Sequence, residues 1–360
     1  MSTSPRSRLL AAAAFAALAG TALAAPGSPA GAAESPTVLA KHLPGPLSLA
    51  INDDNVIYFN GSIGADGSKG ALFRMAPGKD PKVVYSGKKV HEVEGVSTKG
   101  KTTYFLANTD LMKRSPNGDV MKVANLGAYE KNVNPDAQVH YGIADPPAEC
   151  ADGWPEPNPN DPENSAPPVS YTGIVDSHPY GSAVDGGTVY VADAAGNSIL
   201  KVEGGEISTV AVLEPVSVEI TQELADAIGA PAACVGLTYA FEGVPTDVEV
   251  GGDGMLYVSS LPGGEGGAGS VLRIDPATGE GDTVLGGLVG GTGVAVADDG
   301  DIYATNLFSG DITVLPSDEG AEPLAFAHTS NPAAVEVKGN KLYVTSGVFG
   351  PNGKILRYAR

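Results

Sequence analysis

The stretch HPYGSAVDGGTVYVADAAGNSILKV, residues 178–202, reads as three short strands separated by two tight turns. GSAVD (181–185) meets a Gly-Gly turn, a second strand carries Tyr190, an Ala-Ala-Gly-Asn turn follows, and SILKV (198–202) alternates apolar and polar residues as a half-buried strand requires. The same pattern recurs along the chain. SLAIN (48–52), GVSTK (95–99), DVEVG (247–251), GVAVA (293–297) and AVEVK (334–338) match GSAVD. Each precedes a turn and a tyrosine at fixed phase: Tyr58, Tyr104, Tyr190, Tyr257, Tyr303 and Tyr343. A third strand follows in every unit: ALFRM, DLMKR, SILKV, SVLRI, DITVL and KILRY. Weaker fourth strands follow some of these, such as KVVYS (82–86) and ISTVAV (207–212). Four antiparallel strands in units of roughly 40–50 residues are the signature of a propeller blade, so the expectation is an all-β, six-bladed β-propeller.

The last unit ends at KILRY (354–358), two residues from the C-terminus, and lacks a fourth strand. TVLAKHL (37–43) has the character of one. Pairing 37–41 with 354–358 closes the ring and covers two sheet edges that would otherwise be exposed.

The tyrosine spacings of 46, 86, 67, 46 and 40 residues locate two insertions, 125–172 and 214–243. The first contains PPAEC, WPEPNPNDPENSAPP and the single Trp154, and its proline content argues against helix or central strand. The second contains TQELADAIG, with Thr221 as N-cap, Leu224, Ala227 and Ile228 on one face, and Gly229 at the end. Cys150 and Cys234, the only cysteines, fall one in each insertion. An oxidising compartment favours a disulfide between them, tying the insertions into one cap on one face.

Export is read from residues 1–33. Arg6 and Arg8 precede an apolar run, and small residues offer cleavage after ALA (22–24) or GAA (31–33), the layout of a secretory leader. The propeller then spans 34–360, secreted to the exterior or the cell envelope. The formal charge is −20, and without the two leader arginines it is about −22, which disfavours nucleic acid or an anionic membrane surface as partner. No remaining apolar run is long enough to insert in a membrane.

Loops entering the first strands, and those joining second to third strands, gather on one face of a propeller. Polar residues there make a candidate ligand site: Glu94, Asp176, His178, Tyr180, Asp193, Asn197, Asp247, Asn306 and Asn331. Several of them have a plainer role open to them, Asp193 and Asn197 as turn stabilisers above all. The third position of the first strands is Ala50, Ser97, Ala183, Glu249, Ala295 and Glu336, so two carboxylates stand where small residues crowd the axis. With Asp247 they form a hard-oxygen set suited to Ca²⁺ or Mg²⁺; hydrogen bonding to neighbouring blades is the alternative. G-x-S-x-G, H-E-x-x-H and phosphate-loop motifs are absent, and the five histidines are scattered.

The units at 178–202 and 244–260 (VPTDVEVGGDGMLYVSS) resemble the ScyD/ScyE family of exported propellers, and the P-x-x-x-x-V-x-x-x-G-x-x-Y-V pattern is similar to NHL and SMP-30/gluconolactonase-like propellers. The resemblance spans the mature chain. It implies fold and export but carries no catalytic residues across. SMP-30-like lactonases hold an axial divalent cation with Glu, Asn and Asp, types that Glu94, Asn331 and Asp247 supply; virginiamycin B lyase-like propellers use histidines near a cation, where this chain has only His178. The leading expectation is a non-catalytic module binding a small molecule, glycan or protein on the loop face. The alternative is a cation-dependent lactonase or lyase.

Overall fold

The computed structural model describes residues 35–64, 67–156, 167–263 and 269–360; residues 1–33, read above as a secretory leader, and the centre of the Pro-rich run lie outside them. It contains seven four-stranded sheets. Six of them begin with the strands expected from the repeat: Leu49–Ile51, Val93–Lys99, Pro179–Asp185, Pro245–Val250, Gly291–Val296 and Val335–Lys338. These first strands touch in chain order, and the last returns to the first, making a ring. The chain is an all-β propeller.

The repeat's phase has a direct structural cause. Its third position pairs across the first hairpin with the tyrosine in every unit: Ala50 with Tyr58, Ser97 with Tyr104, Ala183 with Tyr190, Glu249 with Tyr257, Ala295 with Tyr303 and Glu336 with Tyr343. Residues directly opposite on antiparallel strands share a face, so a small side chain makes room for the ring beside it. First strands also approach closely enough to demand glycine: a Cβ on Gly181 would lie 2.6 Å from the Asp247 Cα.

Each neighbouring pair of sheets encloses its own apolar core. Leu72 and Tyr58 pack against Val93 and Phe105; Leu106 and Leu111 against Val191 and Leu200; Ile199 against Val258 and Leu256. Further round, Val271 and Leu285 meet Val294 and Ala304, and Ile312 meets Val344 and Leu356. The closing core joins Leu43, Tyr343 and Ile355 to Leu49, Phe59 and Met75. There Thr37–Leu43 pairs antiparallel with Gly353–Ala359, Thr37 opposite Arg357 and Lys41 opposite Lys354, as the termini predicted.

The seventh sheet comes entirely from the two insertions. His140–Gly142 and Ser170–Thr172 of the first join Val216–Glu219 and Thr238–Phe241 of the second, the seam being Gly142 opposite Ala240. The Cys150–Cys234 disulfide, with Cα atoms 5.0 Å apart, lies in its core beside Ile143, Ile220 and Tyr239. Trp154 stacks on Tyr239 at 5.7 Å and donates its indole N–H to Pro167 O at 2.8 Å. The helix Gln222–Ile228 has Thr221 as N-cap and Gly229 as left-handed C-cap, as read from the sequence.

The first insertion departs from its expectation. It opens with a helix, Leu126–Val133, capped by Asn125 and ended by Asn134 at φ 43°. The prolines begin only at Pro135, so their restriction on backbone conformation never reaches LGAYEKNV, and Leu126 and Glu130 bury its inner face.

Candidate functional site

The loop face carries a cavity of about 440 Å³. Its walls are Pro44, Leu47, Leu307, Val348, Phe349 and Pro351, and its polar groups include Glu94, His178 and Tyr180. Pro44, Leu47 and His178 come from loops entering first strands, Glu94 and Tyr180 from the starts of those strands, and Leu307, Val348, Phe349 and Pro351 from loops between second and third strands. Leu47, Glu94 and Tyr180 each stand three residues ahead of the repeat's small position (Ala50, Ser97, Ala183), one geometric slot filled by three kinds of side chain. No residue of either insertion lines the cavity among the described residues. The described residues of the insertions pack around an aromatic core of their own.

Asn60 sets the geometry of the floor. Its side-chain oxygen accepts the Leu47 and Ser48 amides, both at 2.8 Å, while Nδ2 donates to Val93 O at 2.8 Å and to Glu94 Oε2 at 2.5 Å. One buried amide thus fixes the Leu47 loop and orients the Glu94 carboxylate, which is 3% exposed. On the other side, the His178 backbone amide donates to Asp193 Oδ1 at 2.7 Å, its Nε2 lies 3.6 Å from Glu92 Oε2, and its ring meets Tyr180 edge-on. Asn60 is a site residue that the sequence reading missed, because asparagine inside a strand carries no motif.

Leu47 and Tyr180 also line a water-sized void farther along the axis, with Ser182, Asp247, Glu249 and Glu336. Burial pushes Asp247 up to about 7. Burial and then the Asp247 charge push Glu249 up to about 8, and burial with repulsion from Glu249 and Asp247 raises Glu336 well above the carboxylate range. The three face one channel and sense one another. Asp247 is also structural: its oxygens accept the Val248 amide at 3.0 Å and, from the next sheet, the Val294 amide at 3.2 Å. As placed, no three His, Cys, Asp or Glu side chains among the described residues are arranged to hold one metal ion.

The remaining candidates hold backbone. Asp193 accepts Ser177 Oγ at 2.6 Å besides the His178 amide, and burial raises it to about 6. Asn197 accepts the Val244 amide and donates to Asp136; Asn306 accepts the Val289 amide and donates to Asp311 O; Asn331 donates to Leu307 O, a cavity residue. Asp176 is half-buried near Glu130. Glu130, 1% exposed, is pushed up to about 7 by burial and by the Asp193 and Asp136 carboxylates.

No protein-family model matches the chain, and no curated protein matches its sequence. Solved structures do. A catalytically inactive virginiamycin B lyase from Staphylococcus aureus with quinupristin aligns at 13% identity and TM-score 0.51, covering 91% of this chain and 98% of that one. A gluconolactonase from Xanthomonas campestris aligns at 11% identity and TM-score 0.52, covering 93% and 99%. The PQQ-bound aldose sugar dehydrogenase from Streptomyces coelicolor aligns at 13% identity and TM-score 0.51, covering 90% and 98%. The likeness is one of fold alone. Lyase, lactonase and dehydrogenase share the scaffold, so chemistry must be argued from the site.

Proposed function

We propose that this chain is an exported six-bladed propeller of the ScyD/ScyE type that binds a small molecule, without chemistry, in the loop-face cavity. The observation that carries the reading is the cavity itself: about 440 Å³, mostly apolar, with a few oriented polar groups, the usual make-up of a small-molecule site. Export is supported by the leader pattern and by the disulfide; among the described residues no helix is long and apolar enough to cross a membrane. The negative charge disfavours nucleic acid as partner. A saturation-transfer NMR screen of aromatic fragments should give hits that are lost in Ser62→Trp, which fills the cavity from a half-buried wall position. No hit sensitive to that substitution would overturn the reading.

A second reading, a Ca²⁺- or Mg²⁺-dependent lactonase or lyase, is favoured by one observation, the three mutually repelling carboxyls in the axial channel. It requires them to draw together around a cation. Metal analysis with and without chelator tests it: a stoichiometric divalent ion lost in Glu249→Gln/Glu336→Gln would support this reading, and a metal-free protein indifferent to both cations would refute it.

A further inference from the structure

We propose that the cavity selects a hydrophobic cation, an apolar ring or short chain carrying an ammonium or similar charged donor, over neutral and anionic analogues. This rests on the reading that the loop-face cavity is a ligand site, and it names the class of ligand.

The walls supply the apolar half. Pro44, Leu47, Leu307, Val348 and Pro351 surround the space, and Phe349, 43% exposed, offers an aromatic face to a passing cation. Ser62, also in the wall, has a buried hydroxyl with no hydrogen-bond partner among the described residues.

The charge comes from below. Among the described residues no Lys or Arg lines the cavity. Glu94 does, oriented by Asn60. Glu92 is buried behind His178, 3.6 Å from its ring. Leu47 and Tyr180 then separate the cavity from the channel that holds Asp247, Glu249 and Glu336. The Glu94 carboxyl group therefore stands in the floor, with apolar walls that exclude screening water and focus its field, while burial favours the protonated form of the channel carboxyls beneath it. An anionic ligand would meet this field with no Lys or Arg among the described residues to receive it, and His178, the basic group in the lining, already faces Glu92. A cation gains from it, and its apolar body gains from the walls.

The test uses the whole mature protein and three ligands that share an indole and a two-carbon linker: tryptamine (cationic), tryptophol (neutral) and indole-3-propionate (anionic). Titration calorimetry at low salt should rank tryptamine at least tenfold tighter than tryptophol, with the acid undetectable. Glu94→Gln keeps an acceptor for Asn60 and removes the charge, and it should bring tryptamine within about twofold of tryptophol. A fold control is the melting temperature of each variant. Phe349→Ala, at an exposed position, serves as a second variant that should weaken the amine most. Equal or reversed ranking, or an amine preference that survives Glu94→Gln, overturns the charge assignment. Should none of the three bind, the charge classes of the fragments lost in Ser62→Trp decide. Neutral or anionic hits refute this inference and leave the ligand site standing, and a complete absence of hits refutes both.

Discussion

Neutralising the axial carboxyls should change how stability depends on pH. In the folded chain Glu249 titrates at about 8 and Asp247 at about 7, with Glu336 raised as well, whereas an unfolded glutamate or aspartate titrates near 4. Between those limits the folded state holds protons that the unfolded state has released, so stability falls as pH rises. The slope is about 1.4 kcal/mol per pH unit for each group still protonated in the fold. Glu249 alone corresponds to a loss of about 4 kcal/mol between pH 5 and pH 8, an upper figure because its charge is shared with neighbours. Glu249→Gln/Glu336→Gln removes two of the three titrations and is nearly isosteric. Urea unfolding at pH 5, 6, 7 and 8, in chelator, should show the wild type losing at least about 2 kcal/mol more than the double variant over that range. The variant should be the more stable protein at pH 8. Parallel pH profiles, or a wild type that gains stability with pH relative to the variant, would refute the placement of these carboxyls in one enclosed channel.

Three further outcomes are expected. Cys150→Ser with Cys234→Ser opens a loop of 84 residues and should lower the unfolding free energy by about 4.6 kcal/mol at most, while the unreduced wild type shows no alkylatable thiol by intact mass. Deleting residues 34–43 removes a strand paired along Gly353–Ala359 and the Leu43 contact in the closing core; scanning calorimetry should show a large fall in melting temperature, and an unchanged value would contradict the closure. Glu130→Gln should stabilise the protein by about 2 kcal/mol at pH 8 and have little effect at pH 5, because the native carboxyl ionises only near 7 and the amide can donate toward Asp193 or Asp136; denaturant unfolding at the two pH values checks the sign.

The propeller was legible because its repeat is a register rule. A tyrosine opposite the third position of each first strand, small in four units and glutamate in two, leaves a mark seven or eight residues on, and the closing strand was visible because KILRY lacked a partner. The seventh sheet was not legible. One of its two inner strands, His140–Gly142, is three residues long and pairs with strands on both sides, one of them supplied by the other insertion, so no local pattern announces it. The helix Leu126–Val133 was missed because the character of a Pro-rich segment was extended to residues that precede its first proline. At the site, charged and polar residues drew attention to Glu94, His178 and Tyr180, but Leu47 and Phe349 look like ordinary loop apolars. The phase of the repeat places Leu47 in the same slot as Glu94 and Tyr180, and that signal was available in the sequence.

The pairing of Thr37 with Arg357 links positions 320 apart in the chain. Such a clasp is the last contact a growing chain can make, and it is well placed to be the first to open when the ring is peeled. Its dissociation rate, more than the equilibrium strength of any one sheet, would then govern how long the protein survives proteases. Joining residues 35 and 360 through a short linker and cutting instead at the exposed Ala277–Thr278 bond of the Asp275–Glu280 turn would relocate the clasp into the interior of a continuous chain. Such a circular permutant would keep every sheet of the native ring and differ chiefly in lifetime.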